Sequence, residues 1–335
     1  MKLSELYWHR ITPLHILLWP FSVLYGYFLT LKKLCYWLDI LPPIKLPVPV
    51  IVVDSISIDD GGKTPLIIWL IDCLLQQGYR PGIITRGNSD NPGLPAAVTS
   101  LSDPNVIGGK TFLLAQRCGG ICPIWVGSDR IAVAQALLNS HPTCNILICN
   151  DGMQYYRLER DIEIAVVDFS EQSFGNGLVL PAGPLRTPLQ YLRKIDIIVT
   201  NGKQNHYVDT SQWSKTYPMK LVNETAYNVL NPEIRQPVSD FKNKQLHAIA
   251  SGDNVQCFFD FIQKTGLNAE LHTFSENHQF VSQDINFADA DVILMPEENA
   301  LQCCHFAKGT LWALPKDAWV NSELQAIVLK KLQKI

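Results

Sequence analysis

The hydrophobic pattern of this chain changes period repeatedly, from extended to helical and back. Residues 48–53 form an apolar, largely β-branched run, which predicts a strand buried on both faces as in a parallel sheet. Apolar residues then recur at helical spacing: Leu66, Ile67, Leu70, Ile71, Leu74 and Leu75. Further strands are predicted at 79–87, 123–126, 144–149, 162–168 and 196–200, with a helix over 129–140. The texture changes near Gly202, and 207–237 is polar and poor in helical periodicity. A second strand–helix series opens at 245–250, with Phe258, Phe259, Phe261 and Ile262 marking its helix. It continues through a strand at 291–295 and closes with an amphipathic helix over 322–332. Strands alternating with helices imply a parallel sheet with right-handed crossovers.

Between the first strand and the first helix lies Ser57-Ile58-Asp59-Asp60-Gly61-Gly62-Lys63-Thr64. A strand, a glycine turn and a Lys-Thr pair opening a helix are the layout of a phosphate-binding loop. Backbone N–H groups and the helix N-terminus meet phosphate oxygens, the lysine reaches the outer phosphates, and the threonine hydroxyl takes Mg²⁺. The match is incomplete, because Ser57 stands where the motif's first glycine belongs. Asp59 and Asp60 also face any polyphosphate with like charge. Each such pair at ~5 Å and an effective dielectric near 20 costs roughly 3 kcal/mol. A surface turn between strand and helix explains the same residues.

Residues 12–31 contain no Asp, Glu, Lys or Arg, and Lys32 and Lys33 follow directly. The length suits a bilayer span, while Pro20 and His15 favour a helix lying in the interface. The basic pair places the body of the protein on the cytoplasmic side. The expected organisation is a membrane-associated helix over 1–36, a nucleotide-binding domain over 37–203, a β-rich linker over 204–240 and a second lobe over 241–335. The fold class is α/β: a P-loop kinase-like parallel sheet flanked by helices, a smaller second α/β lobe and an N-terminal membrane helix.

A net charge of -3 over 335 residues gives no electrostatic reason to expect a nucleic-acid partner. The nine cysteines lack metal-type spacing and read as reduced core residues of a cytosolic compartment. Asn150-Asp151-Gly152 ends a buried strand, where a phosphate-loop enzyme carries its second Mg²⁺-binding group.

Several segments together identify a resemblance. They are Gly62-Lys63-Thr64-Pro65, Arg86-Gly87, Ser128-Asp129-Arg130, Asn150 to Tyr155, Phe174-Gly-Asn-Gly177, Leu180-Pro-Ala-Gly-Pro-Leu-Arg186 and Phe274-Ser-Glu-Asn-His278. Across nearly its whole length the chain resembles the membrane-bound tetraacyldisaccharide 4'-kinases of lipid A synthesis. The resemblance implies transfer of the ATP γ-phosphate to the 4'-hydroxyl of an acylated glucosamine disaccharide 1-phosphate, at the cytoplasmic face of the inner membrane. It implies that residues 57–64 bind nucleotide and that Lys63 holds the β- and γ-phosphates. Thr64 and Asp151 would hold Mg²⁺, and His278 would join Asp151 in catalysis through a proton relay. Arg86, Arg130 and Arg186 would meet the substrate.

The chain departs from the family pattern at polar positions. Asp59 and Asp60 replace loop glycines. Asn150 and Tyr155 replace an Asp and a His. Gly109 stands where a Gly-Asp-Glu-Pro element carries its Asp, and Glu276-Asn277-His278 replaces an Asp-His-His loop. These changes raise an alternative: a catalytically impaired homologue retained as a membrane-bound binding or scaffold protein.

Overall fold

The computed structural model describes residues 8, 13–38, 40–58, 61–87, 95–99, 101–169, 174–202, 211, 213, 215–252, 255–275 and 278–335. Asp59, Asp60, Glu276 and Asn277 therefore lie outside the described residues.

Helix α1 (Pro13–Trp37) comes first. It is followed by β1 (Val50–Ser55), α2 (Lys63–Gln76), β2 (Pro81–Thr85), β3 (Ala96–Val98), α3 (Pro104–Ile107) and α4 (Gly109–Cys118). Next come β4 (Ile124–Val126), α5 (Arg130–Ser140), β5 (Ile146–Asn150), β6 (Ile162–Asp168), β7 (Ile197–Asn201) and β8 (Thr216–Val222). A second series holds β9 (Thr225–Asn228), β10 (Arg235–Pro237), β11 (Leu246–Ser251), α6 (Val255–Lys264), β12 (Ala269–Phe274), β13 (Val292–Pro296), α7 (Glu297–Ala300) and β14 (Leu311–Leu314). The chain ends with β15 (Asp317–Val320) and α8 (Ser322–Leu332).

The first sheet has strand order β15-β8-β7-β6-β1-β5-β2-β4-β3. Its centre is parallel: β1 lies between β5 and β6, with Val53 beside Asn150 and Ile164. The β-branched run is buried on both faces, as its sequence predicts. Ile51 and Val53 pack under α2, α4 and α8, while Val50 and Val52 pack under α5. Helix α5 begins one residue late because Asp129 caps it, its carboxylate accepting from the N–H groups of Ile131 and Ala132.

Two compact units emerge: residues 1–221 with 318–335, and residues 222–317. These limits differ from the organisation expected from sequence. The polar stretch after Gly202 contributes β8 to the first sheet, with Thr216 registered against Ile198. The closing helix places Leu324, Val328 and Leu332 in the first unit's core. The second unit is a six-stranded sheet of order β10-β9-β14-β13-β11-β12, parallel from β14 to β12.

No helix among the described residues is long and apolar enough to cross a membrane. Of the two readings open for residues 12–31, the spanning one draws no support from this. Ser22, Thr30 and the Lys32-Lys33 pair fall inside the 25-residue α1. Ser22 docks the helix on its own unit: its Oγ donates to the Val179 carbonyl and accepts from the Ala182 N–H, both at 2.8 Å. Leu17, Leu24, Tyr27, Phe28 and Trp37 remain exposed.

Candidate active site

The parallel register builds the centre of the site. Val53 of β1 pairs with Asn150 of β5, and the Asp151 N–H donates to the Val53 carbonyl at 3.1 Å. The next residues along, Asp54 and Asp151, are thus side by side at the carboxyl ends of adjacent strands. Open α/β sheets bind their ligands at these ends. Asp151 turns the chain away with φ 56, a left-handed conformation that Asp tolerates better than most residues.

Lys63 comes to the same point from the other side of β1. It is the first residue of α2, after Gly62 at φ 96. That conformation suits glycine, and a Cβ there would also lie 2.9 Å from the Met219 methyl. Gly62 itself brings no side chain to cap the helix. Lys63 and Thr64 are both buried, at 4% and 3% exposure. The Lys63 ammonium hydrogen-bonds Asp151 and lies 3.6 Å from Asp54 Oδ1.

Arg186 completes the cluster. Its Nη1 is 3.4 Å from Asp151 Oδ1 and 4.0 Å from Asp54 Oδ1. Its backbone is strapped in place: the N–H donates to the Ile56 carbonyl at 2.7 Å, and Gln154 Nε2 donates to its carbonyl at 2.6 Å. Ser57 is buried beside this strap, bridged to Leu185, and the Ile58 N–H donates to the Pro184 carbonyl at 3.0 Å.

The two carboxyls are in different electrostatic states. Asp54 is buried, and burial pushes its carboxyl above the usual range against the pull of Lys63. Its oxygens accept from the Ser55 N–H at 2.7 Å and the Met153 N–H at 3.0 Å. Burial pushes Asp151 the same way, but the Lys63 charge and hydrogen bond, with Arg186, outweigh it and hold that carboxyl at about 2. Asp54, Asp151 and Thr64 carry the hard oxygen donors that Mg²⁺ prefers, and Asp151 is ionised at neutral pH. The donors present therefore fit the ion.

The remaining residues singled out from sequence lie elsewhere. Arg86 is exposed at the end of β2, beside the strand that leads to Asp151. Arg130 is buried and turned inward. Nη1 donates to the Gly127 carbonyl at 2.8 Å and Nη2 to the Asp151 carbonyl at 3.4 Å, so it braces the Asp151 turn. His278 belongs to the second unit, where its Nε2 is 2.8 Å from Asp284 Oδ2 and its ring packs against Phe274 and Phe280.

Sequence reasoning passed over Asp54 and Asp284. The signal for Asp54 was available: an acid at the carboxyl end of a doubly buried strand, directly before a phosphate-type loop. Asp284 carried none, since only the fold brings it to His278.

A family model described as LpxK, tetraacyldisaccharide-1-P 4'-kinase, matches residues 14–333. The tetraacyldisaccharide 4'-kinase of Nitrosomonas eutropha is 42% identical over 334 residues, spanning 100% of this chain and 84% of that protein. That of Azoarcus sp. is 37% identical over 333 residues, spanning 99% and 96%. The fold is similar to a crystal structure of LpxK from Aquifex aeolicus in complex with ATP, with TM-score 0.80, 22% identity, and coverage of 95% and 99%. Matched in sequence along almost its entire length, the chain belongs to the tetraacyldisaccharide 4'-kinase family.

Proposed function

We propose that this protein transfers the γ-phosphate of ATP to the 4'-hydroxyl of tetraacyldisaccharide 1-phosphate, a step in lipid A synthesis. The observation that carries this reading is the convergence of Lys63, at the mouth of α2, with Asp54, Asp151 and Arg186 at the carboxyl end of the sheet. Phosphoryl transfer demands positioning and charge neutralisation more than covalent chemistry. The cluster holds two cations against two carboxyls in a largely buried place. An incoming triphosphate takes Lys63 from Asp151, and the freed carboxylate becomes available to Mg²⁺. Thr64, Asp151 and Asp54 would hold that ion, which would neutralise charge developing on the phosphates.

Lys63 then holds the outer phosphates, the start of α2 receives phosphate oxygens, and residues 57–62 shape the loop. Arg186 and the exposed Arg86 neutralise phosphate on the nucleotide or the lipid. Arg130 acts indirectly by bracing the Asp151 turn. The family resemblance gives His278, held by Asp284, a part in the proton relay.

The acylated substrate implies a membrane surface. Helix α1 lies along the cytoplasmic face of the inner membrane with its exposed Leu, Phe and Trp side chains in the interface. A groove of about 370 Å³, lined by Trp19, Val23, Gly26, Leu178, Val179 and Leu189, runs beside it and suits an acyl chain. The alternative of an impaired scaffold protein draws no support from the relatives, which are named as kinases.

The test uses the full chain in detergent micelles with ATP, Mg²⁺ and tetraacyldisaccharide 1-phosphate. Mass spectrometry should show a product heavier by one phosphate, and ADP in equal amount. Bound ATP without product would sink the transfer reading.

A further inference from the structure

The second unit carries a side-chain cluster that phosphoryl transfer does not use. His247 on β11 and Glu270 on β12 are register partners, and His272 follows two residues later on the same face of β12. His247 Nδ1 and His272 Nε2 are 2.9 Å apart. The Glu270 carboxylate stands over the same space, with one oxygen 3.9 Å from His247 Nδ1 and the other 3.8 Å from His272 Nε2. These three donor atoms lie within 4.8 Å of one another.

We propose that His247, Glu270 and His272 form a binding site for a divalent transition-metal cation, of which Zn²⁺ is the type. The donor set, an orienting partner and the local charge balance support it. First, the donor set matches the ion: two imidazoles and one carboxylate are a frequent ligand set for Zn²⁺, with a water as fourth ligand.

Second, His247 has an orienting partner. Its Nε2 lies 3.4 Å from Asp289 Oδ1. A carboxylate near the far nitrogen favours the N–H there, the tautomer that turns the Nδ1 lone pair to the cluster, as metal-binding histidines commonly require. Phe287 stacks on His247 at 4.2 Å and contacts His272 at 4.6 Å, which limits ring rotation.

Third, the cluster gathers electron pairs without enough positive charge. Neutral imidazoles are the ligand form. A single proton shared between the rings satisfies two of the three donors and leaves Glu270 at 3.8 Å, whereas a divalent ion engages all three.

The required movement is small. Two Zn–N bonds of about 2.0–2.1 Å at a tetrahedral angle set the nitrogens about 3.4 Å apart, so the rings separate by roughly half an ångström. The Glu270 side chain is 68% exposed and free to swing inward. Bound metal would pin the edge strand β12 to β11, and the segment carrying His278 leaves from the end of β12.

The experiment is a calorimetric titration of the full, metal-free chain with Zn²⁺, run beside His272→Gln and Glu270→Ala. Glu270 is exposed, so its variant leaves folding intact even if the histidine variant does not. One equivalent should bind and raise the unfolding midpoint. Glu270→Ala should weaken binding at least tenfold, and His272→Gln should abolish it. Asp289→Asn should weaken binding by about 10–100-fold, the usual size for an orienting partner. ATP binding should be unchanged in all variants. No binding of Zn²⁺, or binding that the Glu270 and His272 variants leave unaltered, overturns the site.

Discussion

The ammonium of Lys63 lies 3.6 Å from Asp54 Oδ1 while hydrogen-bonded to Asp151, so one cation serves two carboxyls on adjacent strands. The lysine and Asp54 are almost fully buried, with side chains 5% and 7% exposed. Removing one member of such a group leaves uncompensated charge in a place with little water. Lys63→Met should therefore lower the transfer rate by about 10²–10³, the usual effect of deleting one preorganised charge. It should also destabilise the fold by roughly 3 kcal/mol, less whatever Arg186 recovers. Product formation and urea unfolding measure the two effects separately. A variant that transfers phosphate at the wild-type rate would contradict the role given to Lys63.

The two carboxyls should respond to neutralisation with opposite signs. Asp151 is held at about 2, below its unfolded value. A depressed carboxyl contributes stability above its unfolded pKa, and that stability is lost as pH falls through the folded value. Asp151→Asn should thus cost about 1–2 kcal/mol at pH 7, allowing for its partial exposure, and flatten the stability loss between about pH 4 and 2. Asp54 is raised, so its charge is a burden that grows as pH rises. Asp54→Asn should be neutral or stabilising at pH 7 while still losing activity. Thermal unfolding across pH settles both signs, and a destabilised Asp54→Asn protein would show that Lys63 outweighs burial.

Gly109 opens α4, and a Cβ built there meets nothing within 4 Å. The position can therefore accept a larger side chain without rearrangement. An acid in the first turn of a helix is favoured by about 0.3–1 kcal/mol. Gly109→Asp, which supplies the carboxylate that the family resemblance places here, should fold at least as stably as the natural chain. If that carboxylate assists the hydroxyl, kcat should rise by about 10², the low end of general-base effects. Unchanged kcat in a stably folded variant would mean the natural chain has no need of it.

Helix α1 exposes Leu24 and Phe28 at 65% and 59%. Each apolar side chain transferred into an interface contributes about 2 kcal/mol. Leu24→Asp with Phe28→Asp should reduce partitioning onto phospholipid vesicles more than about 10²-fold. Neither residue touches the Lys63 cluster, so ATP binding should persist. Sedimentation with vesicles is the measurement, and undiminished partitioning would remove α1 as the anchor.

The sequence made some of this legible and concealed the rest for physical reasons. β1 and α2 were readable because a doubly buried strand and a 3.6-residue apolar stripe are local signals. Lys63 and Thr64 stood at the start of α2, and Asp151 directly after β5, another buried run. Asp54 was harder, because its meaning depends on β5 lying beside β1, a pairing across about a hundred residues. Arg130 misled through its charge, since only the fold shows the guanidinium turned onto backbone carbonyls. His247, Glu270 and His272 lack compact metal-type spacing and meet only because β11 and β12 are neighbours. The closing helix was visible, but its partner, the core under β1, was not.

His278 Nε2 lies 2.8 Å from Asp284 Oδ2. Asp284 Oδ2 also accepts from the Val281 N–H at 2.9 Å, so the carboxylate is fixed before it orients the ring. If His278 takes the hydroxyl proton, His278→Ala should lower kcat by about 10²–10⁴. Asp284→Asn should lower kcat by a smaller factor and leave the KM for ATP near its natural value. Groups acting as a unit are not additive. The double variant should therefore be no slower than His278→Ala alone, whereas independent structural damage would multiply. Asp284→Glu should restore part of the rate by returning a carboxylate. Multiplying losses, or an effect confined to the KM for ATP, would show that the pair shapes the second unit without serving proton transfer.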